Sequence, residues 1–228
     1  MIGTYVNTIL VIVGSLLGLL LKKGIPDSIK SIIMIGLGLF TCVLGAKMGL
    51  EMHKPLVVIL SIVLGGVTGE ILAIEDFLEG IGTKLKRFVK AHGETSFAQG
   101  FVTASLLFCV GPMTILGSLQ AGLENKPELL FVKSLMDGVS SIILASTMGL
   151  GVIFSALTVL VIQGGLTLLA QQFSFLTEPA YLSNFTSVGG IMIFAIGLKL
   201  LGIKRIKVGN FLPALVIIIL LTFIAGLI

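Results

Sequence analysis

Charge is scarce in this 228-residue chain: Asp, Glu, Lys and Arg make up 11% of the residues, whereas 56% are hydrophobic. Soluble domains carry about 25% charged residues, so this chain lacks the polar groups that a water-facing surface requires. The composition excludes an ordinary soluble domain and predicts an all-α, polytopic integral membrane protein. The net charge of +4 is typical of the positive-inside bias of membrane proteins, and we expect no nucleic-acid partner.

Cysteine and catalytic motifs are also scarce. The two cysteines, Cys42 and Cys109, lie in apolar runs, which excludes a disulfide-rich scaffold and predicts that they are small buried hydrophobic residues. His53 and His92 lie in or near loops. The sequence has no helix that pairs His with Glu, no phosphate-binding glycine loop and no nucleophile elbow. We therefore expect neither an enzyme nor a bound cofactor, and a metal stays unknown.

Long apolar runs dominate the remaining sequence. Eight of them approach the roughly 20 residues that a helix needs to cross a bilayer, and they lie near 4–21, 31–49, 55–74, 100–121, 131–148, 151–170, 187–203 and 209–228. Residues 131–170 are too long for one crossing, and Gly149 and Gly151 are the predicted break. A single long, tilted helix there would reduce the number of spans to seven.

Most of the 15 basic residues lie in or beside the loops that follow odd-numbered spans. These are Lys22, Lys23, Lys30, Lys84, Lys86, Arg87, Lys90, Lys199, Lys204, Arg205 and Lys207. Cytoplasmic loops of membrane proteins are enriched in Lys and Arg, so this side is predicted to be cytoplasmic. With eight spans, both termini then lie outside the cell.

The chain matches itself at a constant offset. Gly14-Ser15-Leu16 recurs as Gly117-Ser118-Leu119, and Lys30-Ser31 recurs as Lys133-Ser134. The matches predict one membrane domain in four parts: a three-helix repeat over 1–80, an amphipathic cytoplasmic linker over 81–99, a second, inverted three-helix repeat over 100–176, and two additional spans over 177–228. Inverted repeats are typical of secondary transporters, and they also occur in channels.

The polar segment between the third and fourth spans has apolar residues at helical spacing: Leu78, Ile81, Leu85, Phe88 and Val89. This pattern predicts an amphipathic helix on the inner membrane surface with its basic face towards anionic lipid. A solvated linker helix is the alternative. The 29 glycines include pairs four residues apart, which predict close helix packing, with a homodimer as a further hypothesis.

The fourth span is interrupted about halfway by Gly111-Pro112. Proline removes a backbone donor and clashes with the preceding turn, so we expect a kink or break whose freed backbone groups face protein or a water-filled cavity. The repeat offset places Asn7 opposite this break. Asn7, Gly111, Pro112 and Thr114 are therefore candidate binding residues at the middle of the membrane, while a simple packing kink is the alternative.

Two carboxylates lie within spans. Burying the charge of Asp137 costs about 2.5–3.5 kcal/mol on insertion scales, which makes it a candidate for ion or substrate binding. Lys133 lies four residues earlier, so a structural ion pair is the alternative. Glu70 is nearer the inner end of its span. It is a candidate either for a coupling acid or for a structural one. Ser140 and Ser141 either line a cavity or bond to neighbouring helices.

Several of these motifs together resemble a known family. They are Gly3-Thr4 through Asn7, Gly14-Ser15, Gly69-Glu70, Ile74-Glu75, Phe108-Cys109-Val110-Gly111, Gly117-Ser118, Lys133-Ser134, Asp137-Gly138, Val188-Gly189-Gly190 and Leu212-Pro213-Ala214-Leu215. In this combination the chain resembles, over essentially its whole length, the bacterial membrane family of domain of unknown function 554 (YdfK/YqgA-like). The resemblance implies a multi-pass protein of the bacterial cytoplasmic (inner) membrane and no particular substrate.

The residues and the resemblance together lead to one functional hypothesis. We expect a transporter of a small solute or ion, partnered by the lipid bilayer, with its site at interrupted helices near the membrane midplane. A non-transporting scaffold or sensor, or a passive channel, is the alternative.

Overall fold

A computed structural model of the chain describes residues 1–22, 24, 26–91 and 96–226. Lys23, His92 and the last two residues of the predicted eighth span lie outside these ranges. The described residues form α-helices and short 3₁₀ helices, with no strand among them. The α-helices are α1 (Ile2–Lys22), α2 (Asp27–Gly49), α3 (Pro55–Ile71), α4 (Ile74–Phe88), α5 (Phe97–Cys109), α6 (Pro112–Leu123), α7 (Glu128–Met148), α8 (Ser155–Leu168), α9 (Pro179–Leu200) and α10 (Leu212–Gly226). The all-α prediction is confirmed.

Six helical segments among the described residues are long and apolar enough to cross a membrane. They are α1, α2, α7, α9, and α8 and α10 together with the 3₁₀ turn that precedes each. Two further pairs qualify when each is counted as one span: α3 with α4, bent by 55°, and α5 with α6, bent by 58°. The described part therefore has six candidate membrane spans, or up to eight, and the predicted number is at the upper end of this range.

The predicted break between the fifth and sixth spans is confirmed. Helix α7 ends at Met148, a 3₁₀ turn follows over Leu150–Phe154, and α8 begins at Ser155. Between them Gly149 has a φ of +85°, a backbone conformation that only glycine adopts readily. Residues 131–170 thus form two helices rather than one.

Two predicted boundaries are corrected by the structure. The predicted third span, 55–74, ends as a helix at Ile71, and Ala73 has a φ of +49° at the bend that leads into α4. The predicted seventh span, 187–203, begins earlier, at Pro179. Proline suits the first position of a helix because the amide hydrogen that it lacks has no partner there.

The helix predicted between the third and fourth spans is α4. It begins with two acidic residues, Glu75 and Asp76, and ends with Lys86 and Arg87 in its last turn, a charge order that complements the helix dipole. Phe88, near its end, is 86% exposed. The helix itself is confirmed, and its placement on the membrane surface stays a prediction.

The helices form two compact units that interleave along the chain. The first unit comprises residues Met1–Gly36, Glu79–Cys109 and Met113–Ser174. The second comprises Leu37–Leu78, Val110–Pro112 and Phe175–Ile228. The inverted repeat, which divides the chain differently, stays a prediction.

Glycines bring helix backbones into contact within each unit. In the first, a Cβ at Gly14 would overlap the carbonyl oxygen of Gly138, and one at Gly18 would overlap that of Ile142, so α1 and α7 touch backbone to backbone. In the second, a Cβ at Gly69 would overlap the carbonyl oxygen of Asn210. The predicted close packing through glycine is confirmed at these sites, and the homodimer stays a prediction.

Candidate functional site

The first unit contains a polar network between three apolar helices. Asn7 on α1 is fully buried, and its Nδ2 donates one hydrogen bond to Asp137 Oδ2 on α7 at 2.9 Å. The same nitrogen donates a second hydrogen bond to Gln163 Oε1 on α8 at 2.9 Å. One amide group therefore joins α1 to both other helices.

Asp137 is also paired with Lys133, one turn earlier on α7. Lys133 Nζ donates to Asp137 Oδ2, and the two side chains are 6% and 11% exposed. The structure therefore contains the ion pair that the spacing suggested. Removing two charges from water offsets much of their attraction, so a buried pair is weak evidence for stability alone.

The network leaves hydrogen-bonding capacity unused. Among the described residues, Asn7 Oδ1 and Gln163 Nε2 are buried and have no partner. Both donors to Asp137 bind Oδ2, and no described residue donates to its Oδ1. Most buried polar atoms in native proteins are hydrogen-bonded. The network therefore offers two oxygen acceptors and one amide donor to an additional polar group or cation.

The other predicted residues on α7 lie in or beside this network. Ser141 is buried, and its hydroxyl donates to the Asp137 carbonyl oxygen at 2.7 Å, which is a bond within the helix. Ser140 is half-buried. On the other two helices, the hydroxyls of Thr4 and Thr167 are 3.5 Å apart. Thr4 therefore extends the contact between α1 and α8 one turn beyond Asn7.

The predicted interruption of the fourth span is confirmed. Helix α5 ends at Cys109 and α6 begins at Pro112. The hydroxyl of Thr114, a fully buried residue, donates to the Phe108 carbonyl oxygen at 3.0 Å. Thr114 therefore satisfies a carbonyl that the break frees. Gly111 is half-buried, and nothing lies within 4 Å of where its Cβ would be.

The two units divide the predicted site residues. Asn7, Thr114, Asp137, Ser140 and Ser141 belong to the first unit, which brings Asn7, Asp137 and Ser141 together. Gly111, Pro112 and Glu70 belong to the second unit.

Glu70 lies at the end of α3 with 65% of its side chain exposed. Asn210 Nδ2 donates to Glu70 Oε2 at 2.6 Å. Lys207 Nζ lies 3.8 Å from Glu70 Oε1 and 3.2 Å from Asp76 Oδ2. The hydrogen bond and charge of Asp76, with the charge of Glu70, raise the pKa of Lys207 above its usual value.

A second buried charge, Glu75, was missed by the sequence reasoning. Its side chain is 3% exposed and accepts hydrogen bonds from Lys199 Nζ at 2.8 Å and from the Gly209 amide at 2.6 Å. The Glu75 amide donates to Asn210 Oδ1 at 2.7 Å. The available signal was Lys199, a basic residue inside the apolar run at the end of the seventh span.

Gln163 was also missed. It interrupts the apolar run Val161-Ile162-Gln163-Gly164-Gly165, and an uncharged amide at that depth is itself a signal, because polar groups within membrane spans need partners. Among the residues that the structure describes, no three His, Cys, Asp or Glu side chains are grouped so as to hold a metal ion.

The sequence comparisons find relatives over almost the whole chain. The chain is 36% identical over 222 residues to "Uncharacterized membrane protein YdfK" of Bacillus subtilis (strain 168), covering 95% of this chain and 93% of that protein. It is 30% identical over 220 residues to "Uncharacterized protein YqgA" of Escherichia coli (strain K12), covering 95% and 94%. No solved structure matches. Residues 2–223 match the family described as "Protein of unknown function (DUF554)", and the chain belongs to that family.

Proposed function

We propose that this protein is a membrane transporter for a small solute or ion, and that Asp137, Lys133, Asn7 and Gln163 form its binding site. The observation that carries the proposal is the incomplete hydrogen bonding of this network. Asn7 Oδ1 and Gln163 Nε2 are buried without a partner among the described residues. A buried amide atom that stays unpaired costs about 1–3 kcal/mol, so a ligand that pairs with these atoms would recover that energy.

In the Asp137–Lys133 pair, a bound cation can replace the Lys133 ammonium at the Asp137 carboxylate. A cation that binds Asp137 Oδ1 and Asn7 Oδ1 would compete with the Lys133 ammonium for the same carboxylate. A proton on Asp137 would have the equivalent effect, because it removes the charge that holds Lys133 in place. In either case Lys133 is the resident counter-charge, and a change at the Asp137 carboxylate acts on the Asn7–Asp137 hydrogen bond that joins α1 to α7.

The broken helices support the transporter class, although the network itself lies on the unbroken helices α1, α7 and α8. Transporters commonly place their sites at discontinuous helices, where backbone groups become available to substrates. The α5–α6 break at Cys109–Pro112 and the α3–α4 bend at Leu72–Ala73 are interruptions of this kind.

We further propose that both termini face the outside of the bacterial inner membrane. Contacts in the second unit support the eight-span topology on which this orientation depends, because the basic loop before α10 meets the start of α4 through Lys207 and Asp76. Lys54, before α3, donates to the Ala225 carbonyl oxygen at the other end of α10, at 2.7 Å. These pairings join loops that eight crossings place on the same side.

The orientation can be tested with single cysteines in whole cells, in a background where Cys42 and Cys109 are replaced by alanine. Lys126→Cys should react with a membrane-impermeant maleimide in intact cells. Arg205→Cys should react only after the cells are permeabilised. The reverse pattern would invert the orientation, and labelling of both in intact cells would exclude it.

The transport proposal is tested in proteoliposomes by solid-supported-membrane electrophysiology against a panel of cations, anions and small zwitterions, with and without a proton gradient. Asp137→Asn should abolish an identified current, whereas Glu128→Gln, an exposed acid on the same helix, should leave it unchanged. Counterflow of labelled substrate separates a carrier from a passive channel. An identified current that survives Asp137→Asn with its proton dependence intact would refute the site.

A non-transporting scaffold is a second candidate, and the Lys133–Asp137 pair favours it because both partners lie on one helix. The exchange variant Lys133→Asp with Asp137→Lys separates the two functions. A scaffold would regain both stability and its cellular role when the pair is restored in reverse. A transporter would regain stability without transport, because the carboxylate has moved one turn away from Asn7.

A further inference from the structure

The second unit contains a cavity of about 570 Å³ at the ends of α3, α9 and α10. His53 and Lys54 from the loop before α3, Glu178, Tyr181 and Asn184 from the start of α9, and Thr222 from the end of α10 lie on its wall. Small-molecule sites in proteins occupy about 300–1,000 Å³, so this cavity is of the size that holds one small solute.

The most buried polar side chain on the wall of this cavity is Asn184. Asn184 is 1% exposed, and its Nδ2 donates to Thr222 Oγ1 at 3.0 Å. Its Oδ1 is buried and has no partner among the described residues. An apolar residue at this position of α9 would avoid the free-energy cost of an unpaired buried oxygen. The cavity therefore presents a fixed acceptor for a ligand that donates hydrogen bonds.

Opposite charges lie at the same cavity. Lys54 uses one of its three donors on the Ala225 carbonyl oxygen at 2.7 Å, so two donors are available. Glu178 is exposed and forms no ion pair with any described residue. The lining residues on α9 therefore offer a carboxylate and an amide oxygen to an ammonium group, and the loop before α3 offers an ammonium to an anionic group.

An apolar surface completes the lining. Tyr181 lies against Phe175 in an edge-to-face contact, with ring centroids 5.4 Å apart, an arrangement that fixes the orientation of its ring. Phe223 adds a second aromatic side chain to the wall. The cavity thus combines an ammonium acceptor, an anion donor and an apolar face.

We propose that this cavity binds a free amino acid. The ligand ammonium contacts Glu178 and Asn184 Oδ1, the ligand carboxylate contacts Lys54, and the ligand side chain lies against Tyr181 and Phe223. The site is built entirely from the second unit and does not depend on transport through Asp137.

The test uses the full chain in nanodiscs, with unfolding followed by circular dichroism during heating. The probes are the standard L-amino acids and two analogues of leucine: isoamylamine, which lacks the carboxylate, and isocaproate, which lacks the ammonium. A ligand that binds only the folded protein raises the melting temperature in a saturable manner. We expect at least one amino acid to do so. Where leucine is among those that bind, each of its two analogues should bind about tenfold more weakly than leucine, because each loses a charge-assisted contact.

Glu178 and Lys54 are exposed, so their charges can be removed without disturbing the buried part of the fold. Glu178→Gln and Lys54→Gln should each weaken amino-acid binding about tenfold. Glu178→Gln should spare isocaproate, and Lys54→Gln should spare isoamylamine. Glu128→Gln is the matched control and should bind as the unmodified protein does.

Three outcomes would overturn the proposal. The first is that no amino acid raises the melting temperature. The second is that binding is unchanged in both charge variants. The third is that binding is lost in Asp137→Asn, which would place the ligand in the network of the first unit. Binding that persists in Asp137→Asn but weakens in Glu178→Gln assigns the ligand to this cavity whether or not Asp137 supports transport.

Discussion

Two carboxylates, Glu75 and Asp137, are buried among the residues that the structure describes, and their surroundings differ. Glu75 accepts hydrogen bonds at both oxygens, from Lys199 and from the Gly209 amide. Asp137 accepts both of its hydrogen bonds at one oxygen, from Lys133 and Asn7. The neighbouring amides differ in the same way. Asn210 uses both its oxygen and its nitrogen, whereas Asn7 Oδ1 has no partner among the described residues. A completed network stabilises one arrangement, whereas an incomplete one retains capacity for a ligand.

The largest expected effect is at Glu75. Glu75→Gln leaves the Lys199 ammonium, which is 14% exposed, without its counter-charge. Removal of one partner from a buried pair typically costs about 3–5 kcal/mol. We expect a loss of that size in the free energy of unfolding, measured by circular dichroism in mixed micelles with increasing SDS.

Two variants control the Glu75 measurement. Glu79→Gln, an exposed acid on the same helix, should leave stability unchanged, and the double variant Glu75→Gln with Lys199→Met should recover part of the loss. A single Glu75→Gln variant that is as stable as the unmodified chain would remove the distinction between the two carboxylates.

Removal of both charges of the first network is expected to change transport and not to lower stability. Replacing a buried ion pair by uncharged residues is often neutral, or stabilising by about 1–4 kcal/mol. Lys133→Met with Asp137→Asn should therefore unfold no more easily than the unmodified protein, and it should lose transport. If this double variant is destabilised as strongly as Glu75→Gln, then Asp137 serves the fold, and the proposed exchange of ligands at its carboxylate is wrong.

The smallest difference in the free energy of unfolding is expected between variants of two buried amide side chains, Asn210 and Gln163. Asn210→Leu breaks two hydrogen bonds and leaves the Glu75 amide unpaired, which should cost about 1–3 kcal/mol. Gln163→Leu breaks one hydrogen bond but also removes an unpaired buried donor, so its cost should be no more than about 1 kcal/mol. Both are measured by the same SDS titration. Equal losses at the two positions would mean that the networks are equally complete.

The helices and their breaks could be predicted because they depend on local sequence. Apolar run length fixed the spans to within a few residues, Pro112 indicated the break before α6, and Gly149 indicated the end of α7. The boundaries that were wrong, at Ile71 and Pro179, depend on a left-handed residue at the bend and on a proline that begins a helix.

The side-chain networks could be predicted only in part. Asp137 and Lys133 are four residues apart on one helix, so helical geometry alone suggests their contact. Asn7 and Gln163 are 156 residues apart, and Glu75 and Lys199 are 124 apart. Pairings over such distances depend on how helices pack, which periodicity in one segment does not describe.

The backbone contact between α1 and α7 has a consequence for sequence change. Opposite faces of the same helix should accept mutation very differently: Leu20, which is 74% exposed, can be exchanged for other apolar residues, whereas Gly14 has no room for even a methyl group beside the Gly138 carbonyl. A saturation library of α1 selected for folded protein should therefore show an intolerant stripe through Gly14 and Gly18. That stripe would mark, from mutational tolerance alone, the face of α1 that contacts α7.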